Sequence, residues 1–301
     1  MARSNTIEFR AMSCNARAMI VGADGLDDLV TSRVSELERR WSRFLADSEV
    51  SGLNRAGGGP RHCSADTITL VETMVQGWHA TDGAFDPTLL GSLVELGYAA
   101  SRDDATVRTS LAPGVLRQGR PAAIGVDRAT NVVQLPAGTT VDPGGVGKGL
   151  AADLVVAELL AAGAEGALVE IGGDLRVAGR GPVDGGWTIS VQPYPEAPID
   201  IVGIGDGGVA TSTSRLRTWG SPTARHHHLI DPRTLDSAAG EVVACTVIAG
   251  TAAWAEMFTK VAFTETTDDT LAVYERRGLA AKLTLSDGST VQTDAWEAFL
   301  R

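Results

Sequence analysis

From Leu26 onward, apolar side chains recur every three or four positions: Leu26, Val30, Val34, Leu37, Trp41 and Phe44. Asp27, Asp28, Arg33, Glu36, Arg39 and Arg40 lie between them. That spacing matches the helical repeat and predicts an amphipathic helix with its apolar stripe toward a core. Polar residues crowd positions 47–54, which read as a helix-terminating loop. A second stripe, Ile68, Val71, Val75 and Trp78, predicts another helix, capped by Ser64 or Asp66. Residues 81–88 hold two acids, a glycine and a proline and read as a loop, followed by a short apolar piece at 89–96. Residues 100–121 are irregular, with Pro113 and Pro121.

Elsewhere the period shortens. Residues 6–22 read as extended, and 122–126 and 132–135 as strands around a turn at 127–131. Residues 150–162 form a helix-like run, apolar nearly all round and so expected to be buried, with Gly163 closing it. Strands are expected at 167–171, 187–191, 199–202 and 242–249, and a helix at 252–262. Asp287-Gly288 between 282–285 and 290–293 is a hairpin signal. Helices and strands mix without strict alternation, so the expected class is α+β with mainly antiparallel strands. Neither an internal repeat nor a low-complexity tract is evident.

The chain has 301 residues, 44% apolar and 21% charged, with a formal net charge of -11. That is ample for a hydrophobic core and fits one large two-lobed domain over residues 1–301. An acidic chain without a basic stripe argues against a nucleic-acid partner. Cys14, Cys63 and Cys245 are odd in number and widely spaced, which fits reduced thiols in a reducing compartment. The N-terminal residues lack the apolar run of a signal peptide, and no segment approaches a membrane span, so a cytoplasmic protein is expected.

Three places carry candidate chemistry. The sharpest is the run from Val141 to Gly149, with Gly144, Gly145, Gly147 and Gly149 around Lys148, directly before a helix. Glycines let backbone N–H groups approach a ligand, and a helix start offers unpaired N–H groups and partial positive charge. A phosphate suits such a turn, although it is neither a Walker A loop nor a dinucleotide fingerprint, and a plain strand-to-helix turn fits the same residues. The second place is His226-His227-His228 before Asp231-Pro232-Arg233. One histidine acting as a base is more plausible there than three ligands, because neighbours on a strand point apart. Asp231 either orients that histidine or caps the turn at Pro232. The third is Glu256 and Lys260, four apart on one helix face, read first as a surface ion pair and otherwise as a carboxylate at a metal or phosphate site.

Taken in order, these pieces resemble the ApbE family of FAD:protein FMN transferases over most of the chain. Met12 begins the pattern, though Ser13-Cys14 departs from the family's Met-Gly-Thr. Ser48-Glu49 and Asn54 match the next turn, and Gly83-Ala84-Phe85-Asp86-Pro87-Thr88 matches the next loop. Gly144-Gly145-Val146-Gly147-Lys148-Gly149 with Asp153 matches the glycine turn, followed by Gly172-Gly173-Asp174 and Ala210-Thr211-Ser212. His228-Leu229-Ile230-Asp231-Pro232-Arg233-Thr234 completes the set.

The resemblance implies a two-lobed fold with FAD between the lobes, and an enzyme that passes FMN from FAD to a threonine of a partner protein, releasing AMP. It implies FAD contacts from Met12, Ser48, Glu49, Asn54, Phe85, Asp86, Thr88, Gly145, Lys148, Gly172, Gly173, Asp174, Thr211, Ser212 and His228. His228 would take the threonine proton, Asp231 would steer it, and Lys148 would neutralise developing charge. The implied metal is magnesium, held by the Gly147 carbonyl and Glu256, where the family has aspartate. Lys260 occupies the family's threonine-ligand position and would supply part of the positive charge itself. Leu235 replaces the family's glycine after Arg-Thr. An FAD pyrophosphatase and a non-catalytic flavin binder are the alternative readings.

Overall fold

The computed structural model describes residues 3–183, 186–221 and 224–301. The chain divides into two compact units. The first comprises Met1–Ser35, Lys148–Leu216 and Gly240–Arg301; the second comprises Glu36–Gly147 and Arg217–Ala239.

In the first unit the described residues form an eight-stranded sheet whose strand order is its order along the chain. The strands are β1 (Ser4–Ala11), β2 (Cys14–Val21), β3 (Gly166–Ile171), β4 (Asp174–Gly179), β5 (Gly207–Thr213), β6 (Val242–Ala249), β7 (Ala280–Leu285) and β8 (Thr290–Gln292). Every neighbouring pair is antiparallel. The expected extended segment at 6–22 is therefore a hairpin. It turns at Met12 and Ser13, both at positive φ (49° and 60°), as a two-residue hairpin loop of matching twist requires.

The central strands are buried on both faces. On one face a hairpin of Trp187–Val191 and Asp200–Ile204 seats Trp187, Ile189 and Val202 against Leu175, Val177 and Val209. Against β5 and β6 lies a short helix at Ala252–Phe258, capped by Thr251. The expected single helix at 252–262 breaks after Phe258, where Thr259 closes it, and resumes as a 3-10 turn at Val261–Phe263. The run at 150–162 is a helix, Gly147–Ala161, that begins inside the glycine turn rather than after it.

The first predicted helix is present at Asp27–Trp41, shared between the units, with Val30, Val34, Leu37 and Trp41 buried. In the second unit the expected loop at 47–54 is instead a helix, Glu49–Arg55. Its polar residues build the start: Ser48 Oγ accepts from Ser51 N at 3.0 Å, while Val50 and Leu53 are buried. Ser64 caps the following helix, Ala65–Ala80, which lies beside a small sheet of Arg61–His62, Gly125–Asp127 and Val132–Gln134. The apolar piece after Thr88 is a helix, Leu90–Glu95, and its Leu93 packs with Leu89 and Ile230.

Candidate functional site

In the first unit, most of the residues singled out from sequence gather at one end of the sheet. The β1–β2 turn and the β3–β4 turn lie together, since Gly172 N donates to Asn15 O at 2.9 Å. Gly172 and Gly173 form the second turn at positive φ (61° and 93°). Asp174 follows them, buried at 2% exposure.

The helix at Ala252–Phe258 comes close enough to complete the site because two glycines remove side chains. A Cβ on Gly149 would stand 2.5 Å from the Ala252 carbonyl, and one on Gly208 would stand 2.2 Å from Ala252 N. Asp153 fixes the same helix start: its two carboxylate oxygens accept from Ala252 N at 2.8 Å and Ala253 N at 2.9 Å. Arg176 approaches Asp153 at 3.5 Å and also pairs with Asp206 at 2.7 Å. Burial raises the Asp153 carboxyl to about 6, against the pull of those two N–H donors.

This packing aims Glu256 into the cluster. Sequence pattern favoured a surface ion pair between Glu256 and Lys260, and the structure corrects that. Glu256 is 1% exposed and bonds Lys148 Nζ at 2.6 Å and Gly149 N at 2.8 Å. Lys148 also pairs with Asp174. Lys260 turns its ammonium to the Glu256 backbone carbonyl (2.9 Å), Ser212 Oγ (3.0 Å) and Thr259 Oγ1 (3.0 Å). The reason is depth: past Phe258, Lys260 reaches only buried oxygens.

The electrostatics follow from burial and pairing. Burial raises Asp174 to about 6, with Lys148 opposing. Burial also works to raise Glu256, but Lys148, Lys260 and the Gly149 N–H together hold it below the ordinary range. Lys260 is lowered to about 8, chiefly by desolvation, with Glu256 resisting.

Thr211 and Ser212 do not share a face. Neighbours on a strand point apart. Ser212 Oγ meets Thr259 Oγ1 at 2.7 Å on the side of Lys260, whereas Thr211 Oγ1 meets Thr246 Oγ1 at 2.9 Å. Only the Thr211 backbone reaches the cluster, donating to Asp174 Oδ1 at 3.2 Å.

In the second unit, the singled-out side chains mostly tie down turns. Ser48 caps its helix, and Glu49 accepts from Ser64 N and Oγ, both at 2.9 Å. Asn54 clamps Val141 through its carbonyl (2.9 Å) and N–H (2.8 Å). Asp86 accepts from Thr88 N (2.7 Å), Thr88 Oγ1 (2.6 Å) and Gln118 (2.8 Å), and Phe85 is buried. Pro87 O accepts from Asp142 N at 2.8 Å, which joins that loop to the glycine turn. Gly144 and Gly145 sit in a 3-10 turn at Pro143–Gly145, where the Asp142 carboxylate takes the Gly144 N–H at 2.9 Å. His226 and His227 lie on one strand of a hairpin, and His228 follows it. Asp231 accepts from Arg233 N (2.9 Å) and pairs with its guanidinium at 2.9 Å, which is the turn-capping arrangement.

Four residues in these networks escaped the sequence reading. Thr259 lies next to Lys260, and Arg176 lies two residues after Asp174 on the same strand face, a signal available from period alone. Gly208 carried no local mark. Buried Arg43 holds Asp142 at 3.3 Å, along with Thr109 Oγ1 and the Tyr98 carbonyl.

The donor set does not suit magnesium. That ion needs near-octahedral oxygens at about 2.1 Å. Here Glu256, Asp174, Ser212 and Thr259 each have an ammonium or N–H partner in hand. Among the described residues, no group of three or more His, Cys, Asp or Glu side chains is placed to hold a metal. A dication 4 Å from one ammonium would be repelled by about 8 kcal/mol at an effective dielectric of 20.

The chain is similar to FAD:protein FMN transferases from several bacteria. That of Klebsiella pneumoniae (strain 342) is 29% identical over 252 residues, which is 79% of this chain and 76% of the relative. That of Salmonella typhimurium (strain LT2) is 27% identical over 305 residues, 96% of this chain and 87% of the relative. Among solved structures, the ApbE protein of Thermotoga maritima superposes with a TM-score of 0.85 at 22% identity, covering 99% of this chain and all of the other. The Pseudomonas stutzeri flavinyl transferase ApbE, in its apo form, gives 0.83 at 24% identity, covering 99% and 97%. These likenesses bear out the expected α+β fold with mainly antiparallel strands. The ApbE family model matches residues 5–283, and the chain belongs to the ApbE family.

Proposed function

We propose that this protein is an FAD:protein FMN transferase. The threonine oxygen of a partner protein attacks the FMN-side phosphorus of FAD. The bond to the bridging oxygen breaks, AMP leaves with that oxygen, and the threonine proton passes to a base. The observation that carries this reading is the buried cluster at the start of the Gly147–Ala161 helix. Lys148, Asp174, Glu256 and Lys260 are gathered there from three separate stretches of the chain: Lys148 pairs with Asp174 and meets Glu256 at 2.6 Å, and Lys260 lies 2.9–3.0 Å from its three oxygen partners. A fixed positive charge beside a breaking diphosphate lowers the barrier without reorganisation, and Lys148 is the group assigned to that charge. His228 is assigned the proton on its intrinsic pKa range and on the family resemblance. Asp231, engaged by Arg233, is assigned the shape of that turn. Met12, Gly172 and Gly173 form the two turns beside the cluster, and we assign them to backbone contact with FAD. In the second unit, Ser48, Glu49, Asn54, Phe85, Asp86, Thr88 and Gly145 are assigned to shaping the segment around the glycine turn. The donor set does not suit magnesium, so the charge on the diphosphate is met by the lysines.

The three free cysteines support a reducing, cytoplasmic setting. Among the described residues, no helix is long and apolar enough to cross a membrane. The test is AMP release from FAD, with and without a partner carrying an exposed threonine. AMP together with flavin covalently on the partner supports the transferase. AMP without a partner makes it a pyrophosphatase. Tight flavin binding without AMP, across several partners, makes it a binder.

A further inference from the structure

We propose that the Lys260 ammonium is the resident cation of this site, built into the chain, and that it keeps a divalent ion out, so that the protein acts on a dinucleotide diphosphate without magnesium. The transferase reading enters only in naming that substrate.

The geometry carries the inference. An ammonium has three N–H bonds, and Lys260 presents three to chain oxygens: the Glu256 carbonyl at 2.9 Å, Ser212 Oγ at 3.0 Å and Thr259 Oγ1 at 3.0 Å. Those oxygens are organised among themselves. Thr259 Oγ1 donates to the same Glu256 carbonyl at 2.7 Å and lies 2.7 Å from Ser212 Oγ. Helix end, strand and ammonium thus form one closed set, and the distances are those of charge-assisted hydrogen bonds rather than metal ligation.

The carboxylates nearby are taken as well. Glu256 is held by Lys148 and Gly149 N, and Asp174 by Lys148 and Thr211 N. The two ammonium groups and two carboxylates sum to zero charge. A cluster neutralised by its own lysines carries no net negative charge to offset the cost of desolvating a dication. Lys260 is therefore a positioning and charge-supplying residue. It fixes the end of the Ala252–Phe258 helix, and with it the aim of Glu256 at Lys148.

The experiment is a manganese titration followed by electron paramagnetic resonance, paired with AMP release in chelator and in magnesium. The wild type is expected to leave the free-manganese spectrum unchanged into the millimolar range. AMP release is expected to differ by less than about twofold between the two conditions. Lys260→Thr is expected to bind manganese at least about tenfold more tightly than the wild type, and Lys260→Thr with Glu256→Gln to lose that gain. Manganese binding by the wild type that Glu256→Gln abolishes would overturn the proposal. So would activity abolished by chelator and restored by magnesium, or a folded Lys260→Thr with no gain in manganese. If that variant does not fold, the wild-type titration decides. If no AMP forms under any condition across several threonine-bearing partners, the transferase reading fails, and the titration still judges the resident cation.

Discussion

Lys148 in the first unit and Asn54 in the second are both motif residues with their polar ends held by the chain, yet they are held by different things. The Lys148 ammonium meets two carboxylates from remote segments, Asp174 and Glu256. The Asn54 amide meets the backbone of a single residue, Val141. The contrast extends to their surroundings: Asp174, Glu256, Ser212 and Lys260 face one another, whereas Ser48, Glu49, Asp86 and Asp142 each close a local turn or helix start. A short motif of turn-forming residues can therefore serve either end, and composition alone does not separate them. In the first unit these charged side chains meet one another; in the second they meet mainly backbone, with Asp142 also held by Arg43, and set the shape of local turns.

Lys148→Met tests this contrast hardest. It strands two buried carboxylates, so unfolding in urea should show a loss of roughly 3–5 kcal/mol. Adding Glu256→Gln should recover part of it, because the two sites are coupled. A loss no larger than that of an exposed ion pair would remove the distinction between the units.

Acidity sharpens the contrast. Folding raises the Asp153 carboxyl to about 6, so the folded state binds its proton more tightly than the unfolded state. The stability this supplies is complete below the ordinary carboxylate range and is lost as pH climbs through about 6. Between about pH 4 and 7 the wild type should lose up to about 3 kcal/mol relative to Asp153→Asn. Parallel stability profiles for the two proteins would mean that burial does not perturb this carboxyl.

Asn54→Ala should cost about 1–3 kcal/mol by leaving the Val141 N–H and carbonyl unpaired, with FAD affinity little changed in the folded protein. A tenfold loss of FAD affinity at constant stability would instead give Asn54 a ligand contact. The smallest effect belongs to the β1–β2 turn. Ser13 sits at φ 60°, and Ser13→Gly should raise stability by roughly 0.5 kcal/mol, read as a shift in the urea midpoint.

Periodicity revealed what long regular segments encode. The stripe from Val30 to Trp41 is a helix because its apolar residues repeat at 3.6, and residues 242–249 matched β6 end to end. The strand β5 was missed because Gly207-Gly208-Val209-Ala210-Thr211-Ser212-Thr213 is buried on both faces, so it shows no alternation and few large side chains. The helix Thr267–Arg276 was missed for the opposite reason: Thr267, Thr270 and Tyr274 are its buried positions, and two of them are polar. At the site, the pairing of Glu256 with Lys260 was legible as spacing but not as depth. Depth depends on Gly149 and Gly208, which act by lacking a side chain at a contact between distant segments. That kind of information is three-dimensional, and it is absent from any local window of residues.

The sheet order has a consequence for how the chain is made. β2 ends at Val21, and its neighbour β3 begins at Gly166. As the polypeptide leaves the ribosome, the N-terminal hairpin is complete long before its partner strand exists, and closing that loop costs roughly 4 kcal/mol of chain entropy. Until then β2 presents an open edge capable of pairing with another chain. Slow closure of this sheet is the expected kinetic counterpart of inserting residues 36–147, most of the second unit, between two adjacent strands.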